Sequence, residues 1–190
     1  MIYTIFAGIN GAGKTSIYNL LDDKEDLGVR INADEIAREI GDWHDETVQL
    51  KAARIAVGKI NECINNRVSF NQETTMSGTG IIRTMRKAKA NGFTIKMYYI
   101  FVDSIDTAKQ RVRDRVAKGG HGIPEELIEL RYAKTFERLK EAIPLCDNVT
   151  IYNNEVMFKN IADIKHGKIV YIDEETPHFM RKLIEESCSN

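Results

Sequence analysis

A glycine-rich segment near the start of the sequence carries the residue types that bind nucleotide phosphates. Residues 8–15 read G-I-N-G-A-G-K-T and match the pattern G-x-x-x-x-G-K-[ST] in full. The glycines let backbone N–H groups wrap around a phosphate, and a helix that begins near Lys14 directs the positive end of its dipole at the same group. Lys14 can reach the β- and γ-phosphates, and the Thr15 hydroxyl can hold Mg²⁺. The segment therefore predicts a site for a nucleoside triphosphate, whose binding residues are Gly8, Asn10, Gly11, Ala12, Gly13, Lys14, Thr15 and Ser16.

The alternative interpretation of this segment is a strand-to-helix turn that binds nothing. Such a turn requires neither the lysine nor the threonine. The segment also follows an apolar strand directly and opens a helical pattern, which is the context that a phosphate-binding loop needs. Nucleotide binding is the prediction.

Polar side chains follow two other strand-like segments, at the sheet edge where parallel α/β folds bind their ligands. Asp34 comes after Val29–Asn32, so its carboxylate is suited to take a proton from an acceptor hydroxyl beside the γ-phosphate. An aspartate in the first turn of a helix is equally typical of a helix cap, and position alone leaves both roles open. Glu73 and Thr75 come after Val68–Gln72 and are suited to recognise hydroxyl groups, or they belong to an ordinary polar loop.

Asp103 follows the most strand-like segment of the chain, Phe93–Val102. A carboxylate at the end of an apolar strand is a candidate Mg²⁺ ligand of the Walker-B type. A cap for the helix that begins near Ser104 is the favoured interpretation, because aspartate is common at that position.

A basic helix and a glycine-rich turn form the remaining polar feature. Residues Lys109–Lys118 include five basic side chains and one acidic one, a local net charge of +4. Val112 and Val116 are four residues apart and are predicted to pack inward, whereas Arg111 and Arg115 share another face. Planar guanidinium groups suit the equatorial oxygens of a phosphoryl group in transfer.

Gly119–Gly122 is flexible enough to act as a hinge, and Arg131 lies on the returning helix. Two arginine-bearing helices separated by glycines predict a mobile lid over ATP, spanning about residues 109–131. A solvated basic face, or a weak site for a polyanion, is the alternative. His121 lies within the turn and is interpreted as a loop residue rather than a catalyst.

Alternating strand-like and helix-like segments must position these residues, and this alternation is typical of an α/β fold with a parallel sheet. The predicted strands are Ile2–Ala7, Val29–Asn32, Val68–Gln72, Phe93–Val102 and Val149–Tyr152. The predicted helices are Lys14–Leu21, Ala33–Ile40, 45–66, Ile81–Ala90, Ile105–Lys118, Glu125–Ala142 and Pro177–Glu186. His166 and Gly167 form the turn of a predicted hairpin between Ile161–Lys165 and Lys168–Ile172. We expect one domain over residues 1–190, with residues 155–190 as a C-terminal appendage.

Composition excludes several classes of protein. The chain has 190 residues, of which 43% are hydrophobic and 29% charged, and a net charge of −1. These values are typical of a soluble domain and argue against a protein built mainly to hold nucleic acid. The longest apolar run, Met97–Val102, is too short to cross a bilayer. Three scattered cysteines exclude a disulfide framework and fit a reducing, cytoplasmic location.

Several of these motifs together resemble the zeta toxin family. They are the loop Gly8–Thr15, the run I-N-A-D-E-I at 31–36, E-T-T at 73–75, the run from Arg111 to Pro124, and Y-N-N at 152–154. They occur in order over about residues 1–155. The resemblance implies a P-loop kinase-type three-layer sandwich, with a parallel sheet of about five strands and helices on both faces. The predicted C-terminal β-hairpin adds to this fold.

The resemblance also implies an activity, namely phosphorylation of the 3′-hydroxyl of the aminosugar in UDP-N-acetylglucosamine by ATP. Asp34 would be the general base, while Lys14 and Thr15 would bind ATP and Mg²⁺. Glu73 and Thr75 would contact the sugar. Arg115 and Arg131 would be lid arginines on the transferred phosphate, and Arg111 would lie nearer the nucleotide base.

The function expected from these observations is ATP-dependent phosphorylation of a hydroxyl on a small acceptor, most specifically a nucleotide sugar. Another nucleoside or sugar kinase, a non-catalytic ATP-binding switch and a nucleic-acid end kinase are the alternatives. The near-zero net charge counts against nucleic acid as a partner. A neutralising antitoxin would be a separate protein, and no membrane association is expected.

Overall fold

The protein alternates strands and helices along its whole length. A computed structural model describes residues 1–120 and 122–189. The elements are, in chain order, β1 (Ile2–Ala7), α1 (Lys14–Asp22), β2 (Val29–Ile31), α2 (Ala33–Ile40), α3 (Glu46–Asn65), β3 (Phe70–Thr74), α4 (Gly80–Ala90), β4 (Thr94–Phe101), α5 (Ile105–Ala117), α6 (Glu125–Ala142), β5 (Asn148–Asn153), β6 (Lys159–Lys165), β7 (Lys168–Ile172) and α7 (His178–Cys188), with a 3₁₀ turn at Ile143–Leu145.

One seven-stranded sheet runs through the molecule in the order β2-β3-β1-β4-β5-β6-β7. The first five of these strands pair in parallel, so their carboxyl ends share one edge. Ala7, the last residue of β1, pairs with Thr74 of β3 on one side and with Tyr99 of β4 on the other. This register places the segments that follow β1, β2 and β3 next to one another.

Hydrophobic side chains fill both faces of the sheet. One cluster, which includes Tyr3, Phe70, Tyr99 and Ile184, lies under α2, α3, α4, α6 and α7. A smaller cluster, which includes Phe6 and Val112, lies under α1, α5 and the first half of α6. The predicted three-layer arrangement is confirmed. No helix among the described residues combines the length and the apolar character required to span a bilayer.

The C-terminal hairpin extends the sheet itself. Strand β6 pairs antiparallel with β5, and β7 pairs antiparallel with β6 around the predicted turn at His166 and Gly167. Ile161 and Ile164 of β6 are about 1% exposed and belong to the larger cluster. The predicted hairpin is confirmed, and its two antiparallel strands bring the sheet to seven.

Strand β3 lies two residues further along the chain than its predicted range, Val68–Gln72. The turn that ends α3 continues through Arg67, whose φ is 58°, to Val68, whose N–H donates to the Cys63 carbonyl. Pairing with β1 then begins at Phe70 and continues through the polar residues Glu73 and Thr74. Glu73 is therefore part of the strand and not of the loop after it.

Candidate active site

The phosphate loop joins β1 to α1 in the predicted manner. Helix α1 begins at Lys14 behind Gly13, which caps it without any side-chain hydrogen bond. Gly13 has a φ of 103°, and a Cβ atom there would lie 2.9 Å from the ring of Phe158. A Cβ atom on Gly11, whose φ is 82°, would lie 2.5 Å from the Ala108 carbonyl oxygen of α5. Glycine is required at both positions. The Ser16 and Ile17 N–H groups donate to the Gly13 carbonyl oxygen, which leaves those of Lys14 and Thr15 for an anion.

Lys14 is buried inside the loop, with 8% of its surface exposed. Its ammonium group donates to the Ile9 carbonyl oxygen at 3.0 Å. Burial lowers the pKa of Lys14, and the negative charges of Glu73 and Asp34 partly offset this effect. This ammonium group is positioned so that phosphate oxygens could replace the Ile9 carbonyl oxygen as its hydrogen-bond partner.

The other loop residues surround the same point. Thr15 and Ser16 are exposed in the first turn of α1. The Asn10 amide oxygen accepts a hydrogen bond from Arg131 Nη1 at 3.0 Å. The Ala12 carbonyl oxygen accepts one from Asn154 Nδ2 at 2.8 Å. Residues from two distant parts of the chain therefore hold the loop in position.

Glu73 lies at the centre of a hydrogen-bond network. The Thr15 hydroxyl donates to both of its carboxylate oxygens, at 3.0 and 3.1 Å. Arg30 Nη2 and Asn32 Nδ2 donate to Oε2, at 3.0 and 3.2 Å. Arg30 also pairs with Glu35. Glu73 thus connects the phosphate loop to the start of α2.

Asp34 occupies the first turn of α2 but does not cap it. Asn32 is the cap, because its side-chain oxygen accepts the Asp34 N–H at 2.9 Å. The cap interpretation of Asp34 is therefore wrong. The Asp34 side chain is exposed and lines a cleft that Lys14, Arg115 and Arg131 also line.

Thr75 lines this cleft as well and follows β3 directly. Its hydroxyl lies 3.0 Å from the Ser77 hydroxyl. Asp34, Glu73 and Thr75, three residues predicted from strand ends, therefore come together at one edge of the sheet.

Arg115 has the most unusual surroundings of the predicted arginines. Its Nε and Nη2 atoms are buried and have no hydrogen-bond partner. Burial lowers its pKa, while the negative charge of Asp34 acts in the opposite direction. Arg131 Nη1 reaches Asn10, and burial likewise lowers the pKa of Arg131. Two guanidinium groups thus face the carboxylate of Asp34 across the cleft.

Arg111 lies at the rim of the loop. Its Nη2 donates to the Glu155 carbonyl oxygen at 3.0 Å, and its Nη1 is 3.5 Å from the Gly11 carbonyl oxygen. Glu155 in turn accepts from the Asp103 N–H, the Ser104 N–H and the Thr107 hydroxyl. This segment after β5 therefore connects α5 to the phosphate loop.

The outward face of α5 is occupied by ion pairs with α6. Lys109 pairs with Glu125 and Glu129, and Arg113 pairs with Glu125. Acids therefore neutralise part of the predicted basic patch, whereas Arg111 and Arg115 face the cleft. Val112 is buried as predicted. The prediction for Val116 is wrong, since 48% of its surface is exposed.

Asp103 does not take the cap role that was favoured for it. Ser104 is the cap of α5, with its hydroxyl accepting the Asp106 N–H. Asp103 Oδ2 accepts from Asn153 Nδ2 at 2.9 Å, and its carbonyl oxygen accepts from Tyr132. His121 lies outside the described residues.

The cleft has two lobes that overlap. The phosphate-loop lobe, of about 360 Å³, is lined by Gly11, Gly13, Lys14, Thr15, Ser16, Glu73, Arg111, Arg115 and Asn154. The Asp34 lobe, of about 430 Å³, contains Asn10, Asp34, Thr75 and Arg131. Lys14, Glu73 and Arg115 line both lobes. A ligand that spans both lobes would lie beside these three side chains.

A third hollow, the α3–α4 hollow, adjoins the Asp34 lobe. It measures about 390 Å³ and shares five lining residues with that lobe, among them Thr74 and Thr75. Arg83 and Lys87 of α4 line its far side, and Lys87 Nζ donates to the Asn61 side chain at 2.7 Å. The space next to Asp34 therefore continues towards two cations.

Sequence reasoning gave no role to four residues that organise the site, although two of them lie within the motifs of the resemblance: Arg30, Asn32, Asn154 and Glu155. The strand-end rule that found Asp34 also applies to Asn154 and Glu155, which follow β5 directly. Arg30 gave no comparable signal, because an isolated arginine in a short strand is typical of an exposed edge.

Comparisons with known proteins assign this sequence to a family. The sequence model of the family described as zeta toxin matches residues 2–171, further than the 155 residues over which the motifs suggested a resemblance. An uncharacterised protein of Haemophilus influenzae is 32% identical over 127 residues, which cover 67% of this chain and 89% of that protein.

Two solved structures have the same fold at low identity. A chain in the crystal structure of AvrRxo1-ORF1:-ORF2 with ATP has a TM-score of 0.71 and 13% identity over 100% of this chain. The alignment spans 64% of that longer chain. A chain of the PezAT chromosomal toxin–antitoxin system of Streptococcus pneumoniae has a TM-score of 0.61 and 14% identity, covering 97% of this chain and 77% of that one. With most of its length matched by the family model, the present chain belongs to the zeta toxin family.

Proposed function

We propose that this protein is an ATP-dependent phosphotransferase that phosphorylates a hydroxyl group of a small acceptor, specifically a nucleotide sugar similar to UDP-N-acetylglucosamine. The observation that carries the proposal is the overlap of the two lobes at Lys14, Glu73 and Arg115, with Asp34 on the far side. A triphosphate in the first lobe would present its γ-phosphoryl group to a hydroxyl in the second.

The residues of the phosphate-loop lobe fit a triphosphate with its magnesium ion. The start of α1 offers the N–H groups of Lys14 and Thr15, Lys14 also offers a buried cation, and Arg115 offers two buried nitrogen atoms without partners. An unsatisfied buried guanidinium is costly unless a ligand completes its hydrogen bonds. The Thr15 hydroxyl would hold the magnesium ion, which supplies charge neutralisation at the β- and γ-phosphates when bound.

Asp34 would act as the general base. Its carboxylate is exposed in the cleft and is not occupied by a capping bond to its own helix. It can therefore accept the proton that the acceptor hydroxyl loses as the hydroxyl oxygen attacks the γ-phosphorus. Arg115 and Arg131 would stabilise the charge on the equatorial oxygens, since planar donors match that arrangement.

The α3–α4 hollow supports an acceptor that carries negative charge. A neutral sugar beside Asp34 and Thr75 would offer no anionic group to the positive charges of Arg83 and Lys87. The diphosphate of a nucleotide sugar would reach towards both cations. Replacement of Arg83 by alanine should therefore raise the KM of a charged acceptor about tenfold, the effect of losing about 1.4 kcal/mol of binding. Arg86→Ala is the matched control, because Arg86 lies on the same helix, is exposed and does not line the hollow.

A separate antitoxin-type partner belongs to the same proposal. The PezAT structure is that of a toxin–antitoxin system, and AvrRxo1-ORF1 was crystallised together with AvrRxo1-ORF2. A cytoplasmic location would provide ATP and nucleotide sugars together.

The test is an acceptor screen with purified protein, magnesium and ATP. Consumption of ATP would be measured against UDP-sugars, nucleosides, neutral sugars and oligonucleotides, and phosphorylated products would be identified by mass spectrometry. We expect turnover with a UDP-sugar. Turnover with a neutral sugar or a nucleoside would replace the acceptor assignment, and turnover with oligonucleotides would indicate a nucleic-acid end kinase. ATP binding without acceptor-dependent turnover would indicate a switch protein.

A further inference from the structure

Glu73 has a role in the structure that differs from contact with the acceptor. Its two oxygens receive the Thr15 hydroxyl, Arg30 Nη2 and Asn32 Nδ2. A carboxylate offers about four acceptor positions, so three donors from the protein leave little capacity for a sugar. Only 12% of the Glu73 side chain is exposed.

Thr15 is the residue that would bind the magnesium ion of the nucleotide, and its orientation depends on Glu73. A threonine hydroxyl has one proton and two lone pairs. When the proton is donated to Glu73, the lone pairs are directed away from the carboxylate and are available to a cation. Arg30 and Asn32 both bind Oε2, which fixes the carboxylate itself.

We infer that Glu73 is a positioning residue for the magnesium site. It acts through the Thr15 hydroxyl, which it orients, and it leaves recognition of the acceptor to other groups. This inference rests on the proposed function for the identity of the nucleotide site, but it concerns metal binding and requires no acceptor. Partners of this kind, which orient a metal ligand, typically change metal affinity by about 10- to 100-fold.

The experiment measures Mn²⁺ binding to the full-length protein saturated with ADP, by titration calorimetry or electron paramagnetic resonance. Glu73→Gln removes the charge with little change in shape. We expect the Mn²⁺ affinity to fall about tenfold or more, while the affinity for ADP in the presence of EDTA changes less than about threefold.

Glu35→Gln is the matched control. Glu35 binds the same Arg30, at 2.8 Å, and the same Asn32, at 3.2 Å, but makes no bond to Thr15. It should leave Mn²⁺ affinity nearly unchanged. An equal loss in Glu35→Gln would mean that the charge of the whole cluster matters, and would overturn the inference.

A double-mutant cycle with Thr15→Val tests whether Glu73 acts through Thr15. In the Thr15→Val background the Glu73→Gln change should have little further effect on Mn²⁺ affinity. A full additional loss would show direct action on the cation and overturn the positioning role. Unchanged Mn²⁺ affinity in Glu73→Gln would overturn it as well.

Two further results have defined meanings. If Glu73→Gln does not fold, as judged by circular dichroism, Glu73→Asp keeps the charge but is too short to hold Thr15, and should show the same loss of Mn²⁺ affinity. If the parent protein does not bind ADP, the proposed function fails together with this inference. If it binds ADP and Mn²⁺ but Glu73 has no influence, the inference alone fails.

Discussion

The positive charge of Lys14 is buried before any nucleotide is bound. Its contribution to ATP turnover can therefore be measured separately from its contribution to the stability of the fold. Its ammonium group donates to the Ile9 carbonyl oxygen, and burial lowers its pKa. A folded-state pKa below the ordinary value means that the charge destabilises the folded state. The destabilisation is present in full below the folded-state pKa and disappears as the pH rises towards the ordinary value.

We therefore predict that Lys14→Met removes ATP turnover without destabilising the protein. Methionine has a similar shape and no charge, so the lost hydrogen bond, worth about 1 kcal/mol, is offset by the removal of a buried ammonium group. Turnover should fall roughly 10²-fold or more, and the melting temperature at neutral pH should stay the same or rise. Activity that survives in Lys14→Met would show that the loop is not the phosphate site.

A change at Asp34 can also alter turnover without altering stability, because Asn32 and not Asp34 caps helix α2. Asp34→Asn should therefore keep its melting temperature and nucleotide affinity close to those of the parent. It cannot accept a proton at neutral pH, so phosphorylation of the acceptor should fall by about 10²–10⁴-fold. Glu39→Gln, an exposed change on the same helix, serves as the control. Turnover of Asp34→Asn within about threefold of the parent would exclude the base role.

These residues also show where sequence reasoning succeeds. The phosphate loop is predicted because its eight residues are contiguous and their chemistry is set by local backbone geometry. Glu73 was predicted to lie at the site, but its bonding could not be foreseen. Arg30 and Asn32 approach it from β2 and the start of α2, and this meeting depends on the register of β2 with β3.

Helix α5 carries the second group of functional arginines, and its two faces are used differently. Arg113 and Lys109 form ion pairs with α6, whereas Arg115 faces the cleft with two unpartnered nitrogen atoms. The segment after β5 fixes the start of the helix, because Glu155 accepts hydrogen bonds from Asp103, Ser104 and Thr107. The position of Arg115 is thus set at the element level, by the fixed start of α5 and by its ion pairs with α6.

We predict that Arg115→Ala and Arg131→Ala each slow turnover by about 10²-fold or more and weaken nucleotide binding less. A guanidinium that acts on the charge of the transition state affects kcat more than affinity. Arg113→Ala, on the opposite face of α5, should leave both quantities nearly unchanged. Equal losses of nucleotide affinity and turnover in Arg115→Ala would instead assign this residue to ground-state binding of phosphate.

The sequence predicts elements better than their arrangement. Most helices and strands agree with the apolar periodicity to within a residue or two, because burial on a defined face selects those residues. The burial of individual side chains is predicted less well. Val116 was predicted to be buried from its helical spacing to Val112, but it lies on a face of α5 that is open to solvent. The order of the strands was not predicted, because it depends on contacts between distant segments such as β1 and β3.

At the scale of the whole molecule, the C-terminal residues belong to the main core. Ile161 and Ile164 of β6 and Ile184 of α7 are buried in the same cluster as Tyr99 of β4. The ring of Phe179 in α7 packs edge-on against Phe101 of β4, with centroids 6.1 Å apart. Because of this shared packing, we expect residues 155–189 to unfold together with the central strands of the sheet that carry the candidate site.

We therefore predict that the chain unfolds as one unit. Ile184→Ala should lower the free energy of unfolding by about 2–4 kcal/mol, the usual effect of a cavity in a packed core. The transition should remain single when it is followed by near-UV and far-UV circular dichroism in urea. Lys182→Ala, an exposed change on the same helix, should alter stability by less than about 0.5 kcal/mol. Two separate transitions in Ile184→Ala, with ADP binding retained after the first, would show that the C-terminal segment is an independent unit. A single transition, with loss of ADP binding at the same urea concentration, would show that β6, β7 and α7 help to hold the strand edge that carries the candidate site.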